Sequence, residues 1–376
     1  MKKMLSLAAM FAVLSYASPA SAELKLTGDA AVRARGHFFS TETAAGVKSK
    51  EDDLYFQYRV RLKAAADLGD GYFFKALVQN EEAPGSWSTV GGANNASPNN
   101  TELYRLELSN FYFGRTLKDC HYSIGRLPLN SFNNPIFDLA LYAVPTAFTS
   151  TGVYAVDIPV TTDKYDRLFG FNYGTKVGDG ELNGTLVVLD NASGDNNATK
   201  GDGLLNDGYA LHVSYKNTIG NVTVEPQALI SLTNVEAPTA HPGGISPNTF
   251  GLNASIPSGK SKIGASAFYT ICNDEIPGTT TKIDYNGYLL RLKGESGAAM
   301  AWIDYNHTSD KTGTDTDYSN VFIWAQYNFK MHESATGSFS LTPTLRYRAS
   351  GKEVDGTPGT EHNNALRTEL YATVTF

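Results

Sequence analysis

Alternation of apolar and polar residues with a period of two recurs along most of this chain. In the first clear segment the apolar residues share one face, and they are Leu24, Leu26, Ala30, Val32 and Ala34. Most of the intervening positions carry charged or hydroxyl side chains. A helix would place residues i and i+2 on different faces, so this pattern predicts β-strands.

The connections between these strands alternate in length. Sixteen strands are predicted, beginning near residues 23, 53, 72, 102, 120, 166, 181, 207, 222, 249, 262, 284, 298, 318, 337 and 363. Short joints alternate with long polar ones, and the long ones are 40–52, 81–101, 127–165, 190–206, 233–248, 271–283, 308–317 and 349–362. Short periplasmic turns and long extracellular loops are typical of a transmembrane antiparallel up-and-down β-barrel, which is the fold we predict.

The first twenty-two residues have the features of a secretory signal peptide. Lys2 and Lys3 give a basic start, an apolar run extends to Leu14, and Ala20 and Ala22 mark a small-residue cleavage site. Cleavage would leave 354 residues (376 − 22), which we expect to form one barrel domain over 23–376. Without the two lysines the formal charge of −7 becomes −9, so a nucleic-acid-binding role, which needs a basic surface, is disfavoured.

The last predicted strand carries Leu370, Ala372, Val374 and the terminal Phe376 on one face. In this ending the chain resembles bacterial outer-membrane porins, whose last strand has alternating apolar residues and a terminal aromatic. The resemblance implies a Gram-negative outer-membrane channel for passive diffusion of small hydrophilic solutes and ions. It also implies a homotrimer, contact with outer-membrane lipid and lipopolysaccharide, and recognition of the Phe376 strand by the barrel-assembly machinery.

Basic residues gather on the polar face of the first and last predicted strands. They are Arg33, Arg35, Arg59, Arg61, Lys63 and Arg105 on the first four strands, and Arg346, Arg348 and Arg367 on the last two. Closure makes the last strand a neighbour of the first, so we expect one almost purely basic wall along the pore. Few aromatic residues are assigned to the pore side, which disfavours a sugar-specific channel.

The longest connection, 127–165, follows the fifth predicted strand. In general porins that loop folds into the barrel and narrows it, so the resemblance implies the same role here. Its apolar segment begins with Ile136 and Phe137 and is suited to packing on an inner wall. We expect Asp138 first, and then Asp157 and Asp163, to face the arginines across the opening. A surface lid or a trimer contact is the alternative for this loop.

Three classes of function stay open at this point. The leading one is a general diffusion channel, followed by a channel specific for anions, phosphate or sugars, and then by a surface protein or an outer-membrane hydrolase. We predict no enzyme activity, no cofactor and no metal site, because the histidines lack metal-ligand spacing. Pro226 and Pro343 fall inside predicted strands, where their missing N–H groups conflict with an unbroken ladder.

Overall fold

The computed structural model describes residues 23–80, 87–90, 106–128, 134–137, 167–190, 208–232, 247–275 and 282–376. The predicted signal peptide, residues 1–22, lies outside these ranges. Within them, no helix combines the length and the apolar character needed to cross a membrane.

The described residues form strand segments separated mostly by short turns or by undescribed connections. The segments are β1 (Glu23–Glu42), β2 (Lys48–Gly69), β3 (Tyr72–Gln79), β4 (Ser88–Thr89), β5 (Glu107–Thr116), β6 (Cys120–Pro128), β7 (Arg167–Val177), β8 (Gly180–Asp190), β9 (Gly208–Ile219), β10 (Val222–Ser231), β11 (Asn248–Ser258), β12 (Ser261–Glu275), β13 (Lys282–Ser296), β14 (Ala299–Asp310), β15 (Thr316–Tyr327), β16 (Phe329–Ser334), β17 (Gly337–Val354) and β18 (Thr360–Thr375).

These segments close into a single antiparallel barrel. Val32 of β1 lies opposite Tyr58 of β2 on one side and opposite Ala372 of β18 on the other, so the first and last strands join. The two-residue β4 adds to the pairing of β2, and β16 continues β15 beyond Asn328. Counted over the described residues, the eighteen segments therefore make sixteen barrel strands, and the predicted strand number is confirmed.

The two faces of the barrel differ in chemistry. On β1, Val32 and Phe38 point outward and are nearly half exposed, whereas Arg33 and Arg35 on the other face are 3% and 7% exposed. An apolar outer face is what a barrel surrounded by lipid requires, because the backbone groups are satisfied by the ladder and only side chains meet the hydrocarbon. The predicted alternation on β1 is confirmed, with the charged side chains inside.

Both prolines lie at interruptions of the hydrogen-bond ladder. In β10 the register to β9 has no pair between Val224 and Gln227, and Pro226 lies in that gap. In β17, Pro343 lies where pairing passes from β15 to β16. On its other side each proline keeps a register partner, Leu252 of β11 for Pro226 and Leu370 of β18 for Pro343. The missing N–H is tolerated because the ladder is already interrupted on the first side.

Several predicted long connections contain strand. The strands β1 and β2 are joined by residues 43–47 only, although the sequence suggested a loop over 40–52. The predicted loops 308–317 and 349–362 likewise shrink to 311–315 and 355–359. Above a membrane both faces of a strand meet water, so the apolar half of the alternation disappears while backbone pairing continues. Sequence periodicity therefore predicts strands that end closer to the membrane than the observed strands do.

Candidate functional site

Six of the predicted arginines lie on the inner face of the barrel where the first and last strands meet. We call them, together with Glu369, the seam cluster: Arg33 and Arg35 of β1, Arg59 of β2, Arg346 and Arg348 of β17, and Arg367 and Glu369 of β18. The register places Arg35 opposite Glu369, and Arg346 opposite Arg367. The predicted pore residue Arg105 lies outside the described residues.

Glu369 lies at the centre of the seam cluster and was not predicted as a site residue. Its carboxylate forms an ion pair with the Nε of Arg35, lies 2.8 Å from the Nε of Arg346, and lies 3.6 Å from a terminal nitrogen of Arg33. The hydroxyl of Tyr371 donates to the same carboxylate at 2.7 Å. One fully buried carboxylate is thus the shared counter-charge of three arginines.

The shared carboxylate explains how like charges are held side by side. Arg346 and Arg367 lie directly opposite each other in neighbouring strands, an arrangement that is destabilising for like charges. Burial weakens solvent screening, so the attraction of Glu369 for its neighbours is stronger than it would be in water. Six arginines against one carboxylate leave a formal charge of +5 (6 − 1) in the seam cluster.

The predicted wall is less purely basic than expected. Besides Glu369, Asp29 of β1 accepts hydrogen bonds from the Nε of Arg61 at 2.9 and 3.0 Å, so Arg61 is neutralised within the wall. Lys63, two residues further along β2, is on the inner face and exposed. Of the predicted basic residues on β2, Lys63 therefore adds exposed positive charge to the wall, whereas Arg61 does not.

Aromatic rings lie over four of the six guanidinium groups of the seam cluster. Arg346 lies 3.8 Å from the ring centroid of Trp324, and Arg35 lies 5.6 Å from that of Tyr55. Trp87 contacts both Arg33 and Arg59. Cations stacked on aromatic faces are stabilised by the ring quadrupole, and more so where water is excluded.

The expectation that few aromatic residues face the pore is wrong. Trp302 of β14 and Phe322 and Trp324 of β15 all lie on the inner face, and the two indole rings stack at 4.7 Å with an interplanar angle of 13°. Their strands carry apolar residues on both faces, such as Ile303 beside Trp302. Period-two alternation cannot separate inside from outside in such a strand.

Accessibility divides the seam cluster into two groups. Arg33, Arg35 and Arg348 are buried, whereas Arg59, Arg346 and Arg367 are intermediate in exposure. Arg348 is held by donation from its Nε to the hydroxyl of Ser350 at 2.9 Å. The buried arginines contribute through the field they create, and the half-buried ones are those that a passing solute can touch.

The wall opposite the seam, formed by β8 to β13, holds the beginning of the predicted inward loop. Ile136 and Phe137 are buried in a cluster with inner-face residues of five strands, namely Val187, Ala210, Leu229, Phe268 and Leu289. Because this cluster lies on the inner faces of these strands, the segment lies inside the barrel. The loop residues Asp138, Asp157 and Asp163 lie outside the described residues.

Hydrogen bonds reinforce this attachment. The amide oxygen of Gln227 accepts a bond from Asn134 at 2.9 Å and lies 3.0 Å from the Nε2 of His212. Asn253 donates to Asn134 at 3.2 Å from the next strand. The ring of Phe137 lies 4.8 Å from that of His212. Residues 134–137 are therefore fixed to β9, β10 and β11 by both apolar and polar contacts.

Two ion pairs lie on the inner face at or beside this opposite wall. Arg291 donates to Asp304 through two nitrogens at 2.6 and 2.7 Å, with both side chains buried. Lys293 lies 2.7 Å from Glu295 beside a cavity of about 560 Å³. No group of His, Cys, Asp and Glu suited to hold a metal ion occurs among the residues that the structure describes.

Comparison with known proteins agrees with this architecture. The family described as Gram-negative porin matches residues 6–336. The anion-selective porin from Comamonas acidovorans is 15% identical, with a TM-score of 0.56 over 94% of this chain and 100% of that one. The outer membrane channel DcaP of Acinetobacter baumannii is 13% identical, with a TM-score of 0.52 over 96% of this chain and 99% of that one.

At these identities the two structures establish a shared fold, and the family match covers most of the sequence. No curated protein matches the chain. The closed sixteen-strand barrel, its apolar outer face and its charged interior are consistent with that family. The chain therefore belongs to the Gram-negative porin family and is a diffusion channel of the outer membrane.

Proposed function

We propose that this channel favours small anions over cations. The observation that carries the proposal is the formal charge of +5 in the seam cluster, which Glu369 reduces but does not cancel. Rings of charged side chains select ions of the opposite sign in water-filled pores. On the opposite wall Arg291 and Lys293 are each paired with a carboxylate, so they add little to the field across the channel.

Screening limits the range of this field but does not remove it. At physiological ionic strength the Debye length is about 8 Å, and it is effectively longer beside buried charges. Arg59 and Arg367 are half-buried, so an anion can approach them closely. The porin from Comamonas acidovorans, which has the same fold, is described as anion-selective, and that preference is what the seam cluster favours here.

A sugar-specific channel is not favoured by the inner aromatic residues. Trp302, Phe322 and Trp324 are 3%, 3% and 7% exposed, so their rings offer little surface for a sugar to stack on. A general diffusion channel without ion preference, and a channel specific for phosphate, are the alternatives that the ion-selectivity experiment below separates from the proposal.

Further proposals concern the remainder of the chain. We propose that the connection 127–165 narrows the channel, since its residues Ile136 and Phe137 are attached to the inner wall, and that its aspartates Asp138, Asp157 and Asp163 face the arginines. Residues 1–22 would serve as the export signal. Assembly as a homotrimer, contact with lipid and lipopolysaccharide, recognition of Phe376 by the assembly machinery, and the lack of a catalytic site are expectations from the porin resemblance.

Reversal potential in a planar bilayer tests the anion preference. We expect wild-type channels in a KCl gradient to show the sign of chloride preference, and the double variant Arg59→Gln with Arg367→Gln to shift the potential toward zero. Arg115→Gln is the matched control, because Arg115 of β5 stacks on Tyr72 near a short turn and away from the seam cluster. A wild-type potential at zero or of the opposite sign contradicts the proposal.

A further inference from the structure

The cavity of about 560 Å³ on the opposite wall lies along the inner face of β9 to β13. Asn134 bounds it on one side, and on the other side it extends toward the short turns that join β9 to β10 and β11 to β12. Small side chains leave room for it, since Thr223, Ser255 and Gly264 lie in one register row across three strands. This row carries no charge, so the charged residues that line the cavity decide what it can hold.

Two basic residues that line the cavity are neutralised within the wall. Arg291 binds Asp304 through two nitrogens, and Lys293 lies 2.7 Å from Glu295. Lys262 lies opposite Glu295 in the register, but its side chain is exposed and forms no ion pair with a carboxylate among the described residues. Lys262 therefore presents an ammonium group to the cavity.

The ladder interruption at Pro226 brings a second ammonium group and a carboxylate to the same cavity. Counting from the paired residues on either side of the gap places Lys216 of β9 opposite Glu225 of β10. Lys216 is exposed and Glu225 is half-buried, and both line the cavity. In the part of the chain that the structure describes, neither side chain forms an ion pair or a hydrogen bond. Opposite charges thus face the cavity without neutralising each other.

We propose that this cavity binds small zwitterionic solutes, namely amino acids and short peptides, during their passage through the channel. The ammonium group of the solute binds Glu225, and its carboxylate binds Lys262. A zwitterion satisfies groups of both signs, whereas a simple anion meets Glu225 with a like charge and a simple cation meets two lysines. Hydrogen bonds between ionised groups are the strong ones, so both ends of the solute contribute. A zwitterion has no net charge, so this inference does not depend on the anion preference proposed above.

The separation of Glu225 and Lys262 sets the length of the solute. Register pairs run from Glu225 through Asn253 to Ser266, and Lys262 is four residues from Ser266 along β12 (266 − 262). Two strand spacings of about 4.8 Å and four residues of about 3.4 Å place the two Cα atoms about 17 Å apart. An extended dipeptide spans about 7 Å, so the two side chains bridge the remaining distance. A dipeptide is therefore the suitable probe.

Block of the single-channel KCl current by glycylglycine tests the proposal. N-Acetylglycine lacks only the ammonium group of the dipeptide, and glycylglycinamide lacks only its carboxylate charge. We expect the apparent dissociation constant of the wild-type channel to be lowest for glycylglycine by about fivefold, the effect of one partly desolvated ion pair. Glu225→Gln should remove the advantage over N-acetylglycine, and Lys262→Gln should remove the advantage over glycylglycinamide. Lys63→Gln, at an exposed inner lysine of β2, is the control and should leave all three constants unchanged.

Gly264→Leu tests the cavity without changing a charge. A Cβ added at Gly264 would have the carbonyl oxygen of Ala254 as its nearest neighbour, at 3.6 Å, so a leucine fits there and fills the cavity. Binding of glycylglycine should weaken by about tenfold because the solute and the new side chain compete for the same space. Gly294→Leu on β13 is the matched control, since Gly294 is exposed on the outer face, beside Ile263 in the register. Heat-dependent mobility on denaturing gels, which distinguishes folded from unfolded barrels, is measured for every variant first.

Each outcome either supports the site or overturns it. Equal binding of the three probes by the wild-type channel, absence of block, or unchanged block by glycylglycine in Glu225→Gln overturns the proposal. N-Acetylglycine binding more tightly than glycylglycine overturns it in favour of a site for organic anions. Equal effects of Gly264→Leu and Gly294→Leu overturn the location, and if Gly264→Leu does not fold, Glu225→Gln and Lys262→Gln decide. The reversal potential in KCl decides the anion preference separately, so either proposal can fail while the other stands.

Discussion

The seam wall, formed by β1, β2, β17 and β18, differs from the opposite wall of β8 to β13 in length, charge and contents. The seam strands have 16 to 22 residues, whereas those of the opposite wall have 10 to 15. The seam carries excess arginine around one carboxylate, and the opposite wall carries an apolar cluster and paired charges.

The two walls define the channel by different means. The seam supplies charge and stabilises it internally with Glu369 and aromatic rings. The opposite wall supplies an apolar surface on which a returning segment is fixed. Selectivity should therefore respond to changes at the seam, and pore width should respond to changes on the opposite wall.

The largest effect is expected from Glu369→Gln. The change leaves Arg33, Arg35 and Arg346 without their shared counter-charge, and removing one partner of a buried ion pair costs about 3–5 kcal/mol. The free energy of unfolding in urea, measured on barrels in lipid vesicles, should fall by that amount. A loss of this size would show that the stability of the seam wall depends on Glu369.

Glu361→Gln on the same strand is the control for this prediction. Glu361 pairs with Lys352 at 3.7 Å, and both side chains are partly exposed, so its loss should change the unfolding free energy by no more than about 1 kcal/mol. Equal effects of the two substitutions would contradict the central role assigned to Glu369.

Phe137→Ala tests the opposite wall. Replacing a buried phenylalanine by alanine typically costs about 3–5 kcal/mol of packing, and here that loss falls on the attachment of residues 134–137 rather than on the ladder. Single-channel conductance should rise and fluctuate while the reversal potential changes little. Phe322→Ala removes an equally buried ring on β15, outside the attachment, and should leave the conductance steady.

Compared with Glu369→Gln and Phe137→Ala, the substitution Gln227→Leu should have the smallest effect. The substitution leaves Asn134 and His212 without a hydrogen-bond partner at this position, at a cost of about 1–3 kcal/mol for each buried group left unsatisfied. More frequent brief changes of conductance are expected, with unchanged ion preference. Gln79→Leu, at a buried inner glutamine of β3 that donates to Ser109, provides the comparison; identical traces from both variants would contradict the attachment role.

Much of the barrel was predictable because the alternation repeats and each short turn interrupts it. Strands β3, β6, β10 and β17 begin at the predicted residues, and the arginines of β1, β2, β17 and β18 lie on the predicted face. Placement of Ile136 and Phe137 against an inner wall also agrees with the sequence. These features depend on local pattern, which a single sequence contains.

The remaining features depend on contacts between distant parts of the chain. Glu369 resembles any polar residue of its strand until closure brings it beside Arg35, which is 334 residues away. Trp87 lies in a polar connection without periodicity, so nothing local indicates that it turns inward. Trp302 and Trp324 lie in strands that are apolar on both faces, where alternation assigns no direction.

The closure between β1 and β18 also sets an order of events during biogenesis. Arg33 and Arg35 belong to the first strand, whereas their counter-charge Glu369 belongs to the last. A chain that has folded all but its final strand has neither a complete wall nor a neutralised seam. The seam cluster is therefore complete only once the last strand pairs with the first, so closure of the barrel and neutralisation of these buried arginines are one event.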